Sequence, residues 1–413
     1  MPSRGVASRL EGDATAPWAF LGLSADERWV ANLEGTLAAD AAGRAGQCGK
    51  RADLCFAIAP QHLERLRGGP FAALSLANNH ALDFGEPARQ ATAQSLRVLG
   101  IAPLVDEAPP ARVLGGGREW ALVALNFINR EPAALQRALE AARLSIGLAR
   151  ARTPLVAVLP HWGREYDGRV WPPEEGGARL FRAWGAALVA GAHTHVVGES
   201  RCEADAALYF GLGNALFDQR SAAQRRGLAV RCCPGASGLS CRSAPFGVDE
   251  GSLALRWLGS DALPVEAPRW GAPCVVAADP FTDDERRAWQ RHPGAARFVF
   301  VQPFRSLGAR TFFALHRSHS TFDDETALRP YVFRMEAGGH RDLWSGTALS
   351  RPLVAARLFV HDGQELLCAL HRADTFLALE PATLARVRTV YRWSGFGFVS
   401  VRNPAAEERC RGF

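Results

Sequence analysis

The stretch Ala187-Leu188-Val189-Ala190-Gly191-Ala192-His193-Thr194-His195-Val196-Val197 decides how this chain is read, because a short apolar run stops at two histidines one residue apart. In extended backbone, residues i and i+2 share a side, so both imidazoles are expected to face one point at the end of a buried strand. Neutral imidazole is the commonest side-chain ligand of transition metals. Two packed histidines near a strand end are the plain alternative, and the rest of the chain decides between them.

Working outward, the same grammar recurs. Arg28 to Ala31 is an extended run leading into Asn32-Leu33-Glu34-Gly35, and Phe71 to Ala77 ends in Asn78-Asn79-His80-Ala81-Leu82-Asp83-Phe84-Gly85. Pro87 near a helix start, apolar spacing through Ala91 and Leu96, and Gly100 beyond the last turn predict a helix over Glu86 to Leu99. Glu119 to Phe127 reads as a strand, Pro132 to Arg150 as an amphipathic helix, and Pro154 to Leu159 as a buried strand ending in Pro160-His161-Trp162-Gly163-Arg164-Glu165-Tyr166. A helix around Ala178 to Trp184 precedes the opening stretch, and Ala206 to Phe210 runs into Gly211-Leu212-Gly213-Asn214. Ligands of layered α/β proteins bind beyond the carboxyl ends of strands. Glu34, Asn79, His80, His161, His193, His195 and Asn214 are therefore expected to meet in space.

The chain of 413 residues is long enough for at least two domains. With 48% hydrophobic and 22% charged residues it has the composition of an ordinary globular protein. Its net charge of +6 comes from 47 arginines and one lysine, Lys50, scattered along the chain. A nucleic-acid partner is not expected, since tracking a phosphate backbone needs charge gathered on one face. No apolar run is long enough to cross a bilayer, and no signal segment is visible, so a cytoplasmic location is the default expectation. Nine cysteines without a Cys-x-x-Cys spacing are not expected to form a disulfide framework. A structural metal or disulfide among Cys202, Cys232, Cys233 and Cys241 is left open.

Beyond about Ala262 helical periodicity fades, which puts a domain boundary near Gly259 to Ala267 and predicts domains of 1–260 and 265–413. Phe313-Ala314-Leu315-His316-Arg317 returns as Cys368-Ala369-Leu370-His371-Arg372, 55 residues later, and Trp344-Ser345-Gly346 returns as Trp393-Ser394-Gly395, 49 residues later. Such a period predicts an all-β second domain, either a degenerate propeller or a β-sandwich. His316 and His371, inside apolar strands, read as packed or surface histidines and not as ligands.

Three histidines, an asparagine and a carboxylate suit manganese, iron or zinc better than calcium, and one or two such ions are expected. The residues Asn32-Leu33-Glu34-Gly35, Leu76 to His80 with Asp83 and Gly85, His161-Trp162-Gly163 with Glu165 and Tyr166, Gly191 to Val196, and Leu212-Gly213-Asn214 with Phe217 and Asp218 resemble the capsule-synthesis CapA family. That family, also described as poly-γ-glutamate biosynthesis proteins, is related to calcineurin-like metallophosphoesterases. The resemblance implies a four-layer α/β fold of two facing β-sheets flanked by helices. It makes Glu34 a bridging carboxylate, gives Asn79, His161 and His193 to one metal and His195 to the other, and casts His80 as general acid oriented by Asp83. Glu165, Tyr166 and Asn214 would contact substrate or anchor loops. The implied activity is metal-dependent hydrolysis of a phosphoester or a cell-envelope polymer intermediate, with capsule-biosynthesis proteins as partners. A non-catalytic polymer-handling protein is the competing reading. The family opens on an apolar strand ending in Gly-Asp. Gly12-Asp13 follows no apolar run, so a truncated N-terminus is the expectation, and a truncated chain leaves room for an exported form beside the cytoplasmic default. The C-terminal region also resembles FG-GAP or VCBS-type repeats at Gly346 to Pro352 and Tyr391 to Phe398; their calcium loops are not preserved, and calcium is not expected.

Overall fold

The computed structural model describes residues 27–38, 48, 50, 54–150, 152–203, 205–217, 219, 221–235, 238–250, 254–277, 281–320, 325–345, 349, 352–372 and 386–411. Gly12-Asp13 lies outside them, as do Asp218 and Gly346. The chain divides into two compact units. One comprises Met1–Ser145, Leu155–Arg182 and Ala186–Ala278, the other Ile146–Pro154, Ala183–Gly185 and Asp279–Phe413.

The first unit begins with β1 (Trp29–Asn32), β2 (Thr36–Leu37), β3 (Ala57–Ile58), α1 (Pro60–Glu64), β4 (Phe71–Ser75), α2 (Gly85–Val98) and β5 (Ala102–Leu104). Along the chain follow β6 (Ala111–Gly115), β7 (Arg118–Asn126), α3 (Pro132–Arg150), β8 (Val156–His161), α4 (Pro172–Trp184), β9 (Leu188–Ala190), β10 (Ser200–Cys202) and β11 (Ala207–Tyr209), the last residues of α3 and α4 being assigned to the second unit. Strands β1, β4 and β5 form a parallel sheet in the order β1-β4-β5, and a second sheet runs β10-β11-β9-β8-β7-β6. Its middle strands are parallel and its two edges antiparallel. Strand β7 is buried from Trp120 to Asn126 without alternation, as a parallel strand covered on both faces requires. The periodicity of 2 places successive residues of β4 in different cores. Ala73 packs with Leu122, Ala124 and Ala157 of the second sheet, while Leu74 packs with Ala93 and Leu96 of α2. Helix α2 ends as its sequence predicts, with Arg97 in the last turn and Gly100 at φ +77° just beyond.

A third sheet is built from β12 (Arg226–Gly235), β13 (Gly238–Val248), β14 (Leu255–Leu258), β15 (Pro264–Val265) and β16 (Cys274–Ala277). Strand β15 pairs with β14 and β16 with β13, within the first unit's last segment, Ala186–Ala278. Among the described residues, β1 is an edge strand. Beside it lies a cavity of about 510 Å³ whose lining includes Val30, Leu122, Leu188, Val230 and Trp257 and also Asn32, Ser75 and His161.

The second unit contains α5 (Asp283–Gln290), β17 (Phe298–Pro303), β18 (Thr311–Ser320), β19 (Glu325–Glu336), β20 (Gly339–Ser345), β21 (Leu353–His361), β22 (Gln364–Arg372), β23 (Arg386–Trp393), β24 (Phe398–Val401) and α6 (Pro404–Arg411). The strands form one antiparallel sheet, with β20 paired to β19 beside the main path β17-β18-β19-β21-β22-β23-β24. The described strands thus make neither separate propeller blades nor two distinct sheets: the first repeat falls on β18 and β22, and Trp344 and Trp393 of the second on β20 and β23, of a single sheet whose hairpins join through Leu328 and Leu353. The Gln302 side chain of β17 bonds both the backbone N–H and C=O of Leu358 in β21, so the sheet curls around a shared core of Phe304, Phe313, Val332, Leu358 and Leu367. His371 is packed as expected, fully buried with Nε2 3.0 Å from the Tyr391 hydroxyl.

The cysteine expectation is overturned. Four disulfides join Cys48–Cys55, Cys202–Cys274, Cys232–Cys241 and Cys368–Cys410, leaving Cys233 as an exposed thiol. Cys232 and Cys241 are direct partners across the β12–β13 hairpin, whereas Cys202 and Cys274 are 72 residues apart and meet only through tertiary structure.

Candidate functional site

The carboxyl ends of five strands of the first unit deliver the side chains. Leu33 N–H donates to Ser75 C=O, which extends the β1–β4 ladder and sets Glu34 just beyond it. Gly35 follows at φ +131°, where a Cβ would lie 2.6 Å from Phe56 C=O. Asn78 bonds the first two loops together. Its amide donates to Leu33 C=O and Asn32 Oδ1, and its Oδ1 accepts from His80 N–H. His161 is the last residue of β8.

His193 and His195 do not reach the site by strand alternation. They sit past β9 with φ of +98° and +56°, so left-handed backbone turns both rings inward, 6.2 Å apart. This corrects the extended reading of the pair, and such backbone in a non-glycine residue stores strain of order 1–3 kcal/mol that its surroundings must offset. The loop is clamped on both sides. Trp162 N–H donates to Ala192 C=O and Tyr166 N–H to Thr194 C=O, and Gly191 lies so close to Phe210 C=O and the Trp162 indole that no side chain fits there.

The side chains converge. His161 Nε2 is 2.8 Å from Asn79 Oδ1 and 3.7 Å from Glu34 Oε1, and its ring lies 4.8 Å from that of His193. His195 Nε2 is 3.9 Å from Glu34 Oε2. All of Glu34, His161, His193 and His195 are buried. Burial, reinforced by the neighbouring histidines, holds the His161 pKa well below 6.5 and brings His193 to about 4, so both rings are neutral near pH 7. Burial also raises the Glu34 pKa, opposed by His195 and His80 and by the Asn32 amide. Glu34 Oε2, His161 Nδ1 and His193 Nδ1 are buried with no hydrogen-bond partner.

His80 stands slightly apart. Its Nδ1 is 2.8 Å from Asp83 Oδ2 and its ring stacks on Phe56, 3.7 Å between centroids. Burial would raise the Asp83 pKa, but hydrogen bonds from His80, Lys50 and Phe56 N–H together hold it below the usual carboxylate value. Asp83 accepts at Nδ1, so the second nitrogen of His80 is left for the site.

Asn214 anchors His195. Its Nδ2 donates to the carbonyls of His195 and Gln224, so its Oδ1 faces the ring and accepts from Nδ1 at 2.9 Å. That fixes the proton on Nδ1 and leaves the Nε2 lone pair toward Glu34. Tyr166 is half exposed, 6.0 Å from the His195 ring. Sequence reasoning assigned no role to Asn32, Asn78, Phe56 or Lys50. Only Lys50, as the sole lysine, carried a signal that could have drawn attention. As the side chains stand, no three His, Cys, Asp or Glu groups among the described residues share a single ion-binding point.

Residues 1–219, just over half the chain, match the family described as bacterial capsule synthesis protein PGA_cap. The capsule biosynthesis protein CapA of Bacillus anthracis is 27% identical over 167 residues, covering 36% of this chain and 41% of that protein. The PGA biosynthesis protein CapA of Bacillus subtilis (strain 168) is 26% identical over 164 residues, 36% of this chain and 43% of that protein. The matched region thus spans about two fifths of the length of these curated relatives. A hypothetical protein from Thermus thermophilus aligns over 53% of this chain and 81% of its own at 16% identity, with a TM-score of 0.28, too low to transfer fold or function.

Proposed function

The chain belongs to the bacterial capsule synthesis protein family, and from that premise we propose that its first unit is a metal-dependent hydrolase acting on a phosphoester or an envelope-polymer intermediate, with a four-layer metallophosphoesterase-like arrangement of its sheets and helices. The observation that carries the reading is the convergence on the buried Glu34 carboxylate of His161 Nε2 at 3.7 Å and His195 Nε2 at 3.9 Å, with Glu34 Oε2 left without a hydrogen bond beside the neutral His161 and His193 rings. A buried polar atom without a partner costs roughly 1–3 kcal/mol, and a borderline divalent cation such as manganese, iron or zinc is the group whose ligand preferences fit this donor set. Glu34, Asn79, His161 and His193 would hold one ion and His195, with Glu34, a second. Bound there, such ions would supply Lewis acidity and a hydroxide equivalent.

The protein's own share of the chemistry is orientation and proton transfer. Asp83 holds the Nδ1–H of His80, and the doubly protonated ring would give its Nε2–H to a leaving oxygen and return to the neutral Nδ1–H form, a role that contributes about 10²–10⁴-fold. Phe56 stacked on one face keeps the ring from swinging out. The four disulfides support an oxidising compartment for the folded chain. No helix among the described residues is long and apolar enough to cross a membrane.

The second reading, a polymer-handling protein without turnover, draws on two observations: His161 Nε2 is engaged by Asn79, and no three acidic, histidine or cysteine side chains among the described residues converge on one point. Hydrolysis of bis(p-nitrophenyl) phosphate separates the two. Turnover that requires added divalent metal and falls at least about a hundredfold in His80→Ala supports the enzyme. No turnover with manganese, iron or zinc supports the handling protein.

A further inference from the structure

The Cys48–Cys55 disulfide closes a short segment between β2 and β3 whose described residues touch the Asp83 carboxylate and the face of the His80 ring. Lys50, the only lysine in the chain, donates from Nζ to Asp83 Oδ1 at 2.5 Å and to Asn79 C=O at 3.0 Å. Phe56, next to Cys55, donates its N–H to Asp83 Oδ2 at 3.0 Å and stacks on His80. The Asp83 carboxylate is fully buried, and among the described residues its side-chain partners besides His80 come from this segment.

We propose that Lys50 is a positioning residue for His80, held in place by the Cys48–Cys55 bridge. The proposal deepens the hydrolase reading and rests on it for its kinetic arm only. The physical argument is one of rotation. A carboxylate bonded at Oδ2 alone can swivel about its Cβ–Cγ bond and offer either oxygen to the imidazole. Lys50 pins Oδ1, so Oδ2 stays aligned with Nδ1 and the N–H tautomer of His80 is set. The same ammonium ties the backbone of Asn79 to the side chain of Asp83, which fixes the spacing of the loop carrying His80. A lysine side chain is long and rotamer-rich, so holding it on one target is entropically costly. The bridge lowers that cost by restricting the backbone that carries Lys50, as cross-links do for the loops they close. Reduction by a dithiol, which becomes a cyclic disulfide while the bridge gains two electrons and two protons as two thiols, releases the restriction.

The test uses the full chain labelled with 15N-histidine at pH 8, with the His80 resonances assigned through His80→Gln. Wild type is expected to show a single Nδ1–H tautomer at His80. Lys50→Ala and the double variant Cys48→Ser/Cys55→Ser are expected to show mixed tautomers and about a tenfold lower kcat on bis(p-nitrophenyl) phosphate with little change in KM, and Lys50→Arg to restore most of both. Circular dichroism and metal content matched to wild type establish that the variants fold. A folded Lys50→Ala with the wild-type tautomer overturns the proposal, whether or not the probe is turned over. Absence of turnover in wild type, with the tautomer change present, overturns the hydrolase reading and leaves the positioning role standing.

Discussion

Two histidines of this molecule, His193 and His292, have their pKa lowered alike and mean different things. In the first unit, His193 has a pKa of about 4 among Glu34, His161 and His195; in the second, His292 is also held at about 4, first by burial and then by His340. A depressed pKa therefore does not distinguish a site from a core. The surroundings do. His292 packs against Trp289, Phe298 and Phe333, and its Nδ1 accepts from Gly294 N–H at 3.0 Å. Its neutral ring fills space among other rings. His161 and His193 keep unpartnered nitrogens beside a buried carboxylate, and His193 is held there by left-handed backbone. Unmet polar demand and backbone strain at one place mark a site; stacked rings with a satisfied nitrogen mark a core.

Exchanging the two kinds of histidine for phenylalanine is the sharpest way to break this contrast. His161→Phe is expected to lower metal-dependent hydrolysis about a thousandfold, while His292→Phe leaves kcat and metal content unchanged; parallel assays of both variants read the difference. Next in size, Asn214→Ala frees the His195 ring and is expected to weaken metal binding about 10–100-fold, measured by competition with a chelator. Unfolding that accompanied the loss would mean that Asn214 only holds the loop.

The pH response of the second unit follows with its sign. His292 binds its proton more weakly folded than unfolded, so its contribution to stability is present above about pH 6.5 and is lost as pH falls toward 4. The loss is about 2 kcal/mol at roughly 1.4 kcal/mol per pKa unit, discounted for partial solvent screening. Hydrogen exchange at the amides of α5 and β17 reads it locally, and His292→Phe is expected to flatten the slope. Smallest, Tyr391→Phe removes the hydroxyl partner of His371 and is expected to cost about 1 kcal/mol in denaturant unfolding, with no effect on metal.

Much of the first unit was legible because each buried parallel strand is a short apolar run broken by a polar cluster. Helix α2 and strands β7 and β8 fall close to their expected bounds. Glu34, Asn79, His161, His193 and His195 were legible for the same reason, as polar residues that follow such runs. The backbone that aims them was not: the left-handed turns at His193 and His195 depend on contacts with residues 160–166 and Phe210, which no local pattern encodes. Disulfides were illegible where pairing depends on long-range register, as for Cys202 with Cys274. The Cys232–Cys241 pair, separated by 9 in sequence across a hairpin, was within reach. In the second unit the first repeat marked the second strands of two hairpins of one curled sheet, while Trp344 and Trp393 fell on the non-equivalent strands β20 and β23, because a period near 50 does not state how hairpins join.

Metal content of the purified protein tests the central claim most directly. After supply of manganese, iron and zinc and removal of loosely bound ions, the folded wild type is expected to carry at least one equivalent of transition metal and His193→Ala to carry almost none. Wild type without bound metal, or a folded His193→Ala that retains the full equivalent, would contradict the account.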